Sequence, residues 1–456
     1  MSAFEYLAQT KQGRMNDLFS FLRFPSVSAQ SQHKDDVIAC CNWLDQYLKN
    51  IGFATRIFPT KRHPVLYAEF IVSPKLPTIL YYGHYDVQPP EPYELWESQP
   101  FEATIRDGYI YARGSVDDKG QVFAHVKGME AILKAGGQFP VNIKFIIEGE
   151  EEIGSPNLVD FLKENKAMLK ADVAVVSDTA QFSNTMPAIT MGLRGLAAAE
   201  LYVYGPNRDV HSGTFGGAIA NPVNTLCALV AQLHDKNGRV TIPGFYRDVK
   251  PPSKWEKEQF KKLPYKEAAY KKELGVSALQ GEKGFSTFER SWVRPTLDIN
   301  GITGGYQGEG GKTIIPSMAS AKITMRLVPD MDPVKVLASL EKHLNRLAPK
   351  SVKIKLAKRG GSRAVAIDPK GPWLGAASKA IKTGFGKTPV YFKEGGSIPV
   401  VGDFKRLLGL DTLLIGFGQN DNRAHSPNEC FRVVDFENGC RTAAALPFEV
   451  AAAAKK

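Results

Sequence analysis

Short, predominantly apolar segments alternate with amphipathic segments over the first part of the chain. Residues 78–82, 141–147 and 171–176 form apolar runs of the length of buried strands, bounded by glycine or charged residues. Residues 35–50 and 121–135 repeat apolar positions at helical spacing, and the second of these ends at a glycine pair. Buried strands separated by helices predict an α/β fold with a largely parallel central sheet.

The pattern changes after residue 192. Segments 196–204 and 320–327 alternate apolar and polar residues, which predicts strands with one exposed face. Residues 221–233 and 333–347 have helical periodicity, and a polar, lysine-rich insertion lies at 236–294. These features predict a small α+β domain.

Near residue 372 an amphipathic helical segment begins, and near residue 412 there is a short apolar run, as in the first part of the chain. We therefore predict a catalytic domain interrupted by an inserted domain. The predicted boundaries are 1–192 for the first part of the catalytic domain, 193–362 for the inserted domain and 363–456 for the second part.

Composition excludes several classes of protein. The chain has 456 residues, of which 43% are hydrophobic and 23% charged, as expected of a globular protein with a large core. No stretch reaches the roughly 18 apolar residues that span a bilayer, and no apolar run near the N-terminus resembles a signal peptide. We expect a cytoplasmic protein without membrane contact. The five cysteines are scattered and form no CxxC motif, so we expect reduced structural thiols.

The net charge of +11 raises the question of an anionic partner such as nucleic acid. However, many of the lysines lie in the segment 250–272, where glutamates are interleaved with them. Mixed charges at helical spacing are typical of a solvated helix face. We therefore predict no nucleic-acid binding.

Polar residues with metal-binding side chains follow several of the predicted strands. They comprise His84 and Asp86, the pair Asp117 and Asp118, the glutamates at 148 and 150–152, Asp178, and His425. Each has an ordinary alternative explanation, such as a strand-end turn, a helix cap or a solvated acidic loop. Together they fall where α/β sheets collect ligands, beyond the carboxyl ends of strands. Two imidazoles and three carboxylates are a suitable ligand set for a pair of zinc ions.

The segments that carry these residues resemble the carnosinase-like dipeptidases. This branch belongs to the dinuclear-zinc metallopeptidase family, which also contains aminoacylases, succinyl-diaminopimelate desuccinylases and carboxypeptidase G. The similarity runs in order over residues 24–438. It rests on the motifs YGHYDVQP, ARGSVDDKG, EGEEEIGS, DVHSG, GGYQGEGGKTIIP, RLVP, KEGGSIP and AHSPNE.

The resemblance implies a role for each residue of the metal site. His84 and Asp178 would hold one metal, Glu152 and His425 the other, and Asp117 would bridge both through a loop with a cis Asp117–Asp118 peptide bond. Asp86 would orient His84, and Glu151 would act as the general base. Because Glu150 directly precedes this pair, an alignment shifted by one residue stays open, and it would reassign the two roles. The expected cofactors are two zinc ions per subunit, with manganese as the alternative.

The resemblance also implies how a substrate is bound. His211 would stabilise the oxyanion, and Arg326 with Thr313 would bind the substrate's terminal carboxylate. Backbone N–H groups of Gly395, Gly396 and Ser397 would present further donors. The inserted domain would act as a lid and join two subunits in a homodimer.

We therefore expect a dinuclear metallohydrolase that cleaves short unblocked peptides, with a dipeptide as substrate. The alternative within the same chemistry is an N-acyl-amino-acid amidohydrolase. A non-catalytic binding protein of this fold would lack a metal ligand, whereas all five ligands and the general base are present. No GxSxG motif supports a serine hydrolase.

Overall fold

The computed structural model describes residues 1–455, and packing divides them into two compact units. The first unit comprises Met1–Met191, Ile367–Phe392 and the residues from Asp403 onward, and the second comprises Gly192–Ala366 and Lys393–Gly402. The boundaries of the inserted domain at residues 193 and 362 stay a prediction. Within the described residues, no helix is long and apolar enough to cross a membrane.

The elements follow one another in three stretches of the chain. The first stretch contains α1 (Ala3–Gln9), α2 (Lys11–Leu22), α3 (Lys34–Asn50), β1 (Ala54–Phe58), β2 (Val65–Phe70), β3 (Thr78–His84), β4 (Thr104–Arg106), β5 (Tyr109–Tyr111), α4 (Lys119–Lys134), β6 (Asn142–Glu148), α5 (Leu158–Glu164), β7 (Val173–Val176) and β8 (Ala188–Leu193). The second contains β9 (Gly195–Tyr204), β10 (Val210–His211), α6 (Ser212–Phe215), α7 (Pro222–Ala231), α8 (Lys254–Lys262), α9 (Glu267–Leu274), α10 (Thr287–Trp292), β11 (Thr296–Gly304), β12 (Ile314–Ile315), β13 (Met318–Leu327), α11 (Pro333–Leu347), β14 (Lys353–Ser362) and β15 (Val365–Ala366). The third contains α12 (Pro372–Phe385), β16 (Val390–Glu394), α13 (Pro399–Asp403), β17 (Thr412–Leu414), β18 (Cys430–Arg432) and α14 (Val433–Ala454).

The first unit is built on a mixed sheet with the strand order β1-β2-β6-β3-β7-β17-β8. The central neighbours β6, β3, β7 and β17 are parallel, whereas the flanking pairs are antiparallel. The strands β6 and β7 are buried along their whole length, which explains their apolar sequences. The predicted α/β class with a mixed, largely parallel central sheet is confirmed.

Helix α4 is buried over most of its length because β3 lies on one side of it and α14 on another. Gly128 allows the close approach of α14, since a Cβ atom at this position would lie only 2.5 Å from the Cβ of Ala443. The sequence analysis assigned no element to α14, although this helix completes the core of the first unit.

The second unit contains an antiparallel sheet with the order β11-β13-β9-β14. Burial alternates along β9, and its buried side chains pack with those of α7 and α11 in one apolar core. The sheet therefore has one covered face, as the alternating pattern predicts. The insertion between α7 and β11 forms three short helices, two of which begin at the capping boxes Ser253–Glu256 and Ser286–Glu289.

His125 on α4 is a buried histidine outside the predicted site. Its ring lies between those of Tyr81 and Phe417, and its Nε2 is 2.5 Å from the Oγ of Ser177. Because Ser177 donates its own proton to the carbonyl of Ile415, we infer that Nε2 donates to Ser177. Burial lowers the pKa of His125 to about 3.

This lowered pKa predicts acid destabilisation. As the pH falls below about 6.5, the unfolded chain binds a proton at His125 that the folded chain does not, until the pH reaches about 3. In His125→Phe, unfolding by urea in the presence of a chelator is expected to depend less on pH. The slope of the unfolding free energy should fall by up to about 1.4 kcal/mol per pH unit in this window. Equal slopes in the two proteins would contradict the assignment.

Candidate metal centre

Four neighbouring parallel strands of the first unit, in the order β6-β3-β7-β17, end at the same edge of the sheet. His84 is the last residue of β3, and Asp178 lies two residues beyond β7. Glu151 and Glu152 begin a single helical turn three residues after β6. This edge is where open α/β sheets bind ligands.

Asp117 lies between two imidazoles. Its Oδ1 is 3.1 Å from Nε2 of His84, and its Oδ2 is 2.9 Å from Nε2 of His425. The same nitrogen of His425 lies 3.3 Å from Oε2 of Glu152. Ligand atoms of His84, Asp117 and Glu152 all fall within 4.8 Å of one another. The peptide bond between Asp117 and Asp118 is cis.

The buried carboxylate of Asp86 organises two parts of this centre. It accepts the backbone N–H groups of Glu151 and Glu152 at 3.2 and 3.1 Å, and the hydroxyl of Ser28 at 2.6 Å. The predicted contact with His84 is present, with Nδ1 3.4 Å from the carboxylate, but the backbone carbonyl of Asp86 is nearer at 3.1 Å. A proton on Nδ1 that is donated to Asp86 leaves the lone pair of Nε2 available for a metal.

Glu150 does not face the ligand cluster. Its buried carboxylate accepts hydrogen bonds from the hydroxyl of Thr60, the backbone N–H of His63 and the side chain of Asn157. A carboxylate held by these donors is occupied within its own loop. This geometry favours the register in which Glu151 and Glu152 form the functional pair.

The electrostatics of the cluster reflect crowded acidic groups. Burial raises the pKa of Glu151 well above its usual range, and the negative charges of Asp178 and Glu152 raise it further. Hydrogen bonds to Asp117 and then Glu152 raise the pKa of His425 to about 10. Burial alone would raise the pKa of Asp117, but the hydrogen bonds from the two histidines hold it below its usual range. Divalent cations would relieve this crowding and replace the protons.

The donor set therefore fits divalent metal ions. Imidazole nitrogens and carboxylate oxygens are ligands that zinc binds, and carboxylate-rich sites also accept manganese. The residues that could hold the ions are His84, Asp117, Glu152 and His425, with Asp178 supplying charge at the same edge of the sheet.

The second unit brings together other predicted site residues. Nη1 of Arg326 donates to Oγ of Ser397 at 3.2 Å, and that hydroxyl donates to the backbone carbonyl of Arg194. Arg194 in turn donates from Nε to the carbonyl of Gly395 at 3.3 Å. Gly396 is exposed, and the position that a Cβ atom would take there is open space.

His211 and Thr313 lie on neighbouring segments of the second unit. β10 pairs with β12, and the backbone N–H of Ser212 donates to the carbonyl of Thr313 at 3.0 Å. The exposed ring of His211 accepts the backbone N–H of Gly213 at Nδ1, at 2.9 Å. Its Nε2 therefore carries the proton and can act as a donor.

Two charged residues of these sites were missed by the sequence analysis. Arg194 lies beside Ser397, the hydrogen-bond partner of Arg326. Its Nη1 is buried without a hydrogen-bond partner among residues 1–455. Glu429 is buried against the loop that carries Asp117. Glu429 could have been found in the sequence from its place in the AHSPNE motif. Arg194 could have been found as an arginine between Gly192 and Gly195, where the predicted inserted domain begins.

The sequence model of a protein family, described as peptidase family M20/M25/M40, matches residues 80–448. The chain belongs to this family. It is therefore a hydrolase of the metallopeptidase type, and the resemblance drawn from its motifs is confirmed.

Curated relatives and a solved structure match nearly the whole chain. The Cys-Gly metallodipeptidase DUG1 of Candida albicans is 32% identical, over 96% of this chain and 95% of the relative. The human Beta-Ala-His dipeptidase is 33% identical, over 85% of this chain and 78% of the relative. The crystal structure of human carnosine dipeptidase 1 is 30% identical with a TM-score of 0.84, covering 99% of this chain and 98% of that one.

Proposed function

We propose that this chain is a metal-dependent dipeptidase that hydrolyses the peptide bond of short, unblocked peptides. The observation that carries the proposal is the position of Asp117, whose two carboxylate oxygens face different imidazoles. A carboxylate that bridges two cations needs this arrangement. The similarity to proteins named as metallodipeptidases supports a dipeptide substrate over an N-acyl amino acid.

The proposed centre holds two divalent ions. His84 and Asp178 would hold one ion, Glu152 and His425 would hold the other, and Asp117 would serve both. We assign zinc as the physiological metal because imidazole and carboxylate ligands suit it, with manganese as the competing ion.

Two metal ions bound there would supply a lowered pKa of water and polarisation of the substrate's carbonyl group. Glu151 accepts the proton of the attacking water and returns it to the leaving amine. Asp86 accepts a hydrogen bond from the backbone of Glu151 and another from the ring of His84. It therefore positions the general base and a metal ligand relative to each other. His211 donates to the developing oxyanion from its Nε2.

The substrate's terminal carboxylate is assigned to Arg326, with Thr313 and the turn of Gly395, Gly396 and Ser397 as further contacts. Arg326 suits this role because a guanidinium binds a carboxylate through two parallel hydrogen bonds. Its hydrogen bond to Ser397 fixes one edge of the guanidinium.

Arg326→Met is expected to raise KM for a dipeptide by about 10- to 100-fold, since a charge-assisted hydrogen bond contributes about 1.5–3 kcal/mol. The matched variant Lys322→Met removes an exposed positive charge from the same strand and should leave KM unchanged. A dipeptide amide, which lacks the terminal carboxylate, should bind the wild type and Arg326→Met equally. Equal KM values of the two proteins for the free dipeptide would contradict the role.

The experiment that tests the proposed function is removal of metal by a chelator and its stepwise return. The substrates are several free dipeptides, a tripeptide, and N-acetyl and N-succinyl amino acids. We expect dipeptide cleavage to return at about two metal ions per chain, with zinc and manganese compared directly. Cleavage of the acylated amino acids alone would move the chain to the deacylase branch, and no turnover with either metal would contradict the proposal.

We further propose that the chain acts in the cytoplasm as a homodimer that associates through the second unit, which serves as lid and dimerisation domain. Tyr204 and Met318 are direct cross-strand partners at one end of its sheet, and both are exposed. Phe215 and Tyr306 are also exposed in this unit. Sedimentation of the wild type and of Tyr204→Glu with Met318→Glu tests the assembly, because the double variant should be monomeric.

A further inference from the structure

The loop that carries Asp117 and the loop that carries His425 are joined by a small sheet. β5 pairs with β18 in antiparallel register, with Tyr111 opposite Cys430. The chain that leaves β5 towards Asp117 therefore runs beside the chain that enters β18 from His425. The backbone N–H of Ala112 extends the pairing by donating to the carbonyl of Glu429 at 3.2 Å.

The side chain of Glu429 makes the closest connection between the two loops. This carboxylate is fully buried and accepts four hydrogen bonds. Oε2 accepts Nη1 of Arg113 at 2.8 Å and the backbone N–H of Gly114 at 3.0 Å. Oε1 accepts the backbone N–H groups of Val116 and Asp117 at 3.0 and 3.2 Å. One carboxylate thus accepts three backbone N–H groups from the four residues that end at Asp117.

The loop of His425 is fixed at the same place. Asn428, which precedes Glu429, accepts the backbone N–H of Glu97 at 2.9 Å and donates to the carbonyl of Leu95 at 2.7 Å. His425 itself is exposed and lies three residues before this anchor. Its distance from Asp117 therefore depends on how firmly Glu429 holds the two loops together, while Asn428 holds its own loop to residues 95–97.

We propose that Glu429 is a positioning residue of the metal centre, which sets the separation of Asp117 and His425 without contacting a metal. The inference rests on the proposed function only in that the centre binds divalent ions. Outer groups that hold metal ligands typically contribute 10- to 100-fold in metal affinity.

Glu429→Gln tests this role because the two ends of the carboxylate face different donors. The amide oxygen of glutamine can accept from one pair of donors, but its NH₂ group must then face the other pair. The variant therefore keeps the size of the side chain and loses two of the four hydrogen bonds. Glu429→Asp keeps the charge but is one methylene shorter, so it cannot reach both pairs.

Glu282→Gln is the matched control. Glu282 is a buried glutamate that accepts two hydrogen bonds from Arg294 at 2.7 and 2.8 Å, and it belongs to the second unit. It controls for the loss of a buried carboxylate–arginine pair in a place that carries no metal ligand.

The measurement is zinc affinity of the metal-free proteins, by competition with a chromophoric chelator, together with their thermal unfolding. We expect Glu429→Gln and Glu429→Asp to bind at least one zinc ion 10- to 100-fold more weakly than the wild type. Glu282→Gln should lose thermal stability and keep its zinc affinity. Should Glu429→Gln fail to fold, the affinity of Glu429→Asp decides.

Zinc affinity within about twofold of the wild type in a folded Glu429 variant would overturn the inference, whatever its thermal stability. A wild type that binds two zinc ions but cleaves no dipeptide would contradict the proposed function, and the affinity comparison would still decide the role of Glu429. A wild type that binds neither zinc nor manganese would overturn both.

Discussion

Replacing Glu151 by glutamine is expected to lower the turnover of a dipeptide by about 10²- to 10⁴-fold, the range that a positioned general base contributes. The amide has the same size but cannot accept the proton of the attacking water. The backbone N–H of residue 151 still donates to Asp86, so the turn and the neighbouring ligand Glu152 should stay in place. Metal content measured beside kcat should therefore remain at the wild-type value.

Glu150→Gln is the matched control for this prediction. It removes the same charge one residue earlier, where the carboxylate is held by Thr60, His63 and Asn157 instead of facing the ligands. Some loss of stability is expected, with kcat within about tenfold of the wild type. If Glu150→Gln abolished turnover and Glu151→Gln did not, the register of the glutamates would be shifted by one residue.

The fold could be predicted where each strand carries its own apolar signal. β3, β6 and β7 are buried on both faces, so their sequences differ plainly from those of the amphipathic helices between them. The three-residue strands β4, β5 and β18 are too short to show periodicity, and their pairing depends on contacts between distant parts of the chain. Helix α14 is alanine-rich and contains Pro447, which weakens its helical pattern.

The candidate site could be anticipated because neighbouring parallel strands end at one edge of a sheet. This geometry brings His84, Glu152 and Asp178 into one region once the strands are known. The contacts that hold the ligands in place could not be anticipated in the same way. Glu429 contacts residues more than 300 positions earlier in the chain, and the ring of His84 is held by a backbone carbonyl that leaves no mark in the sequence. The catalytic roles themselves stay predictions.

Asp117→Asn is expected to reduce the affinity for at least one of the two metal ions by more than about 100-fold, beyond the upper end of what groups outside the ligand set contribute. The amide keeps one oxygen, which can face either His84 or His425, and its NH₂ group cannot bind a cation. Turnover should fall with the lost metal and should not return when excess zinc is added at micromolar concentration. Metal content after dialysis and dipeptide hydrolysis are the two measurements.

Asp118→Asn separates a bridging role from a general effect on this loop. Asp118 is the adjacent buried residue, burial raises its pKa well above the usual range, and its Oδ2 accepts the backbone N–H of His84 at 3.3 Å. An asparagine keeps that acceptor, so metal affinity within about tenfold of the wild type is expected. Uptake of two metal ions with undiminished affinity by Asp117→Asn would remove the bridging carboxylate from the mechanism, because Asp117 is the residue whose two carboxylate oxygens face the two imidazoles.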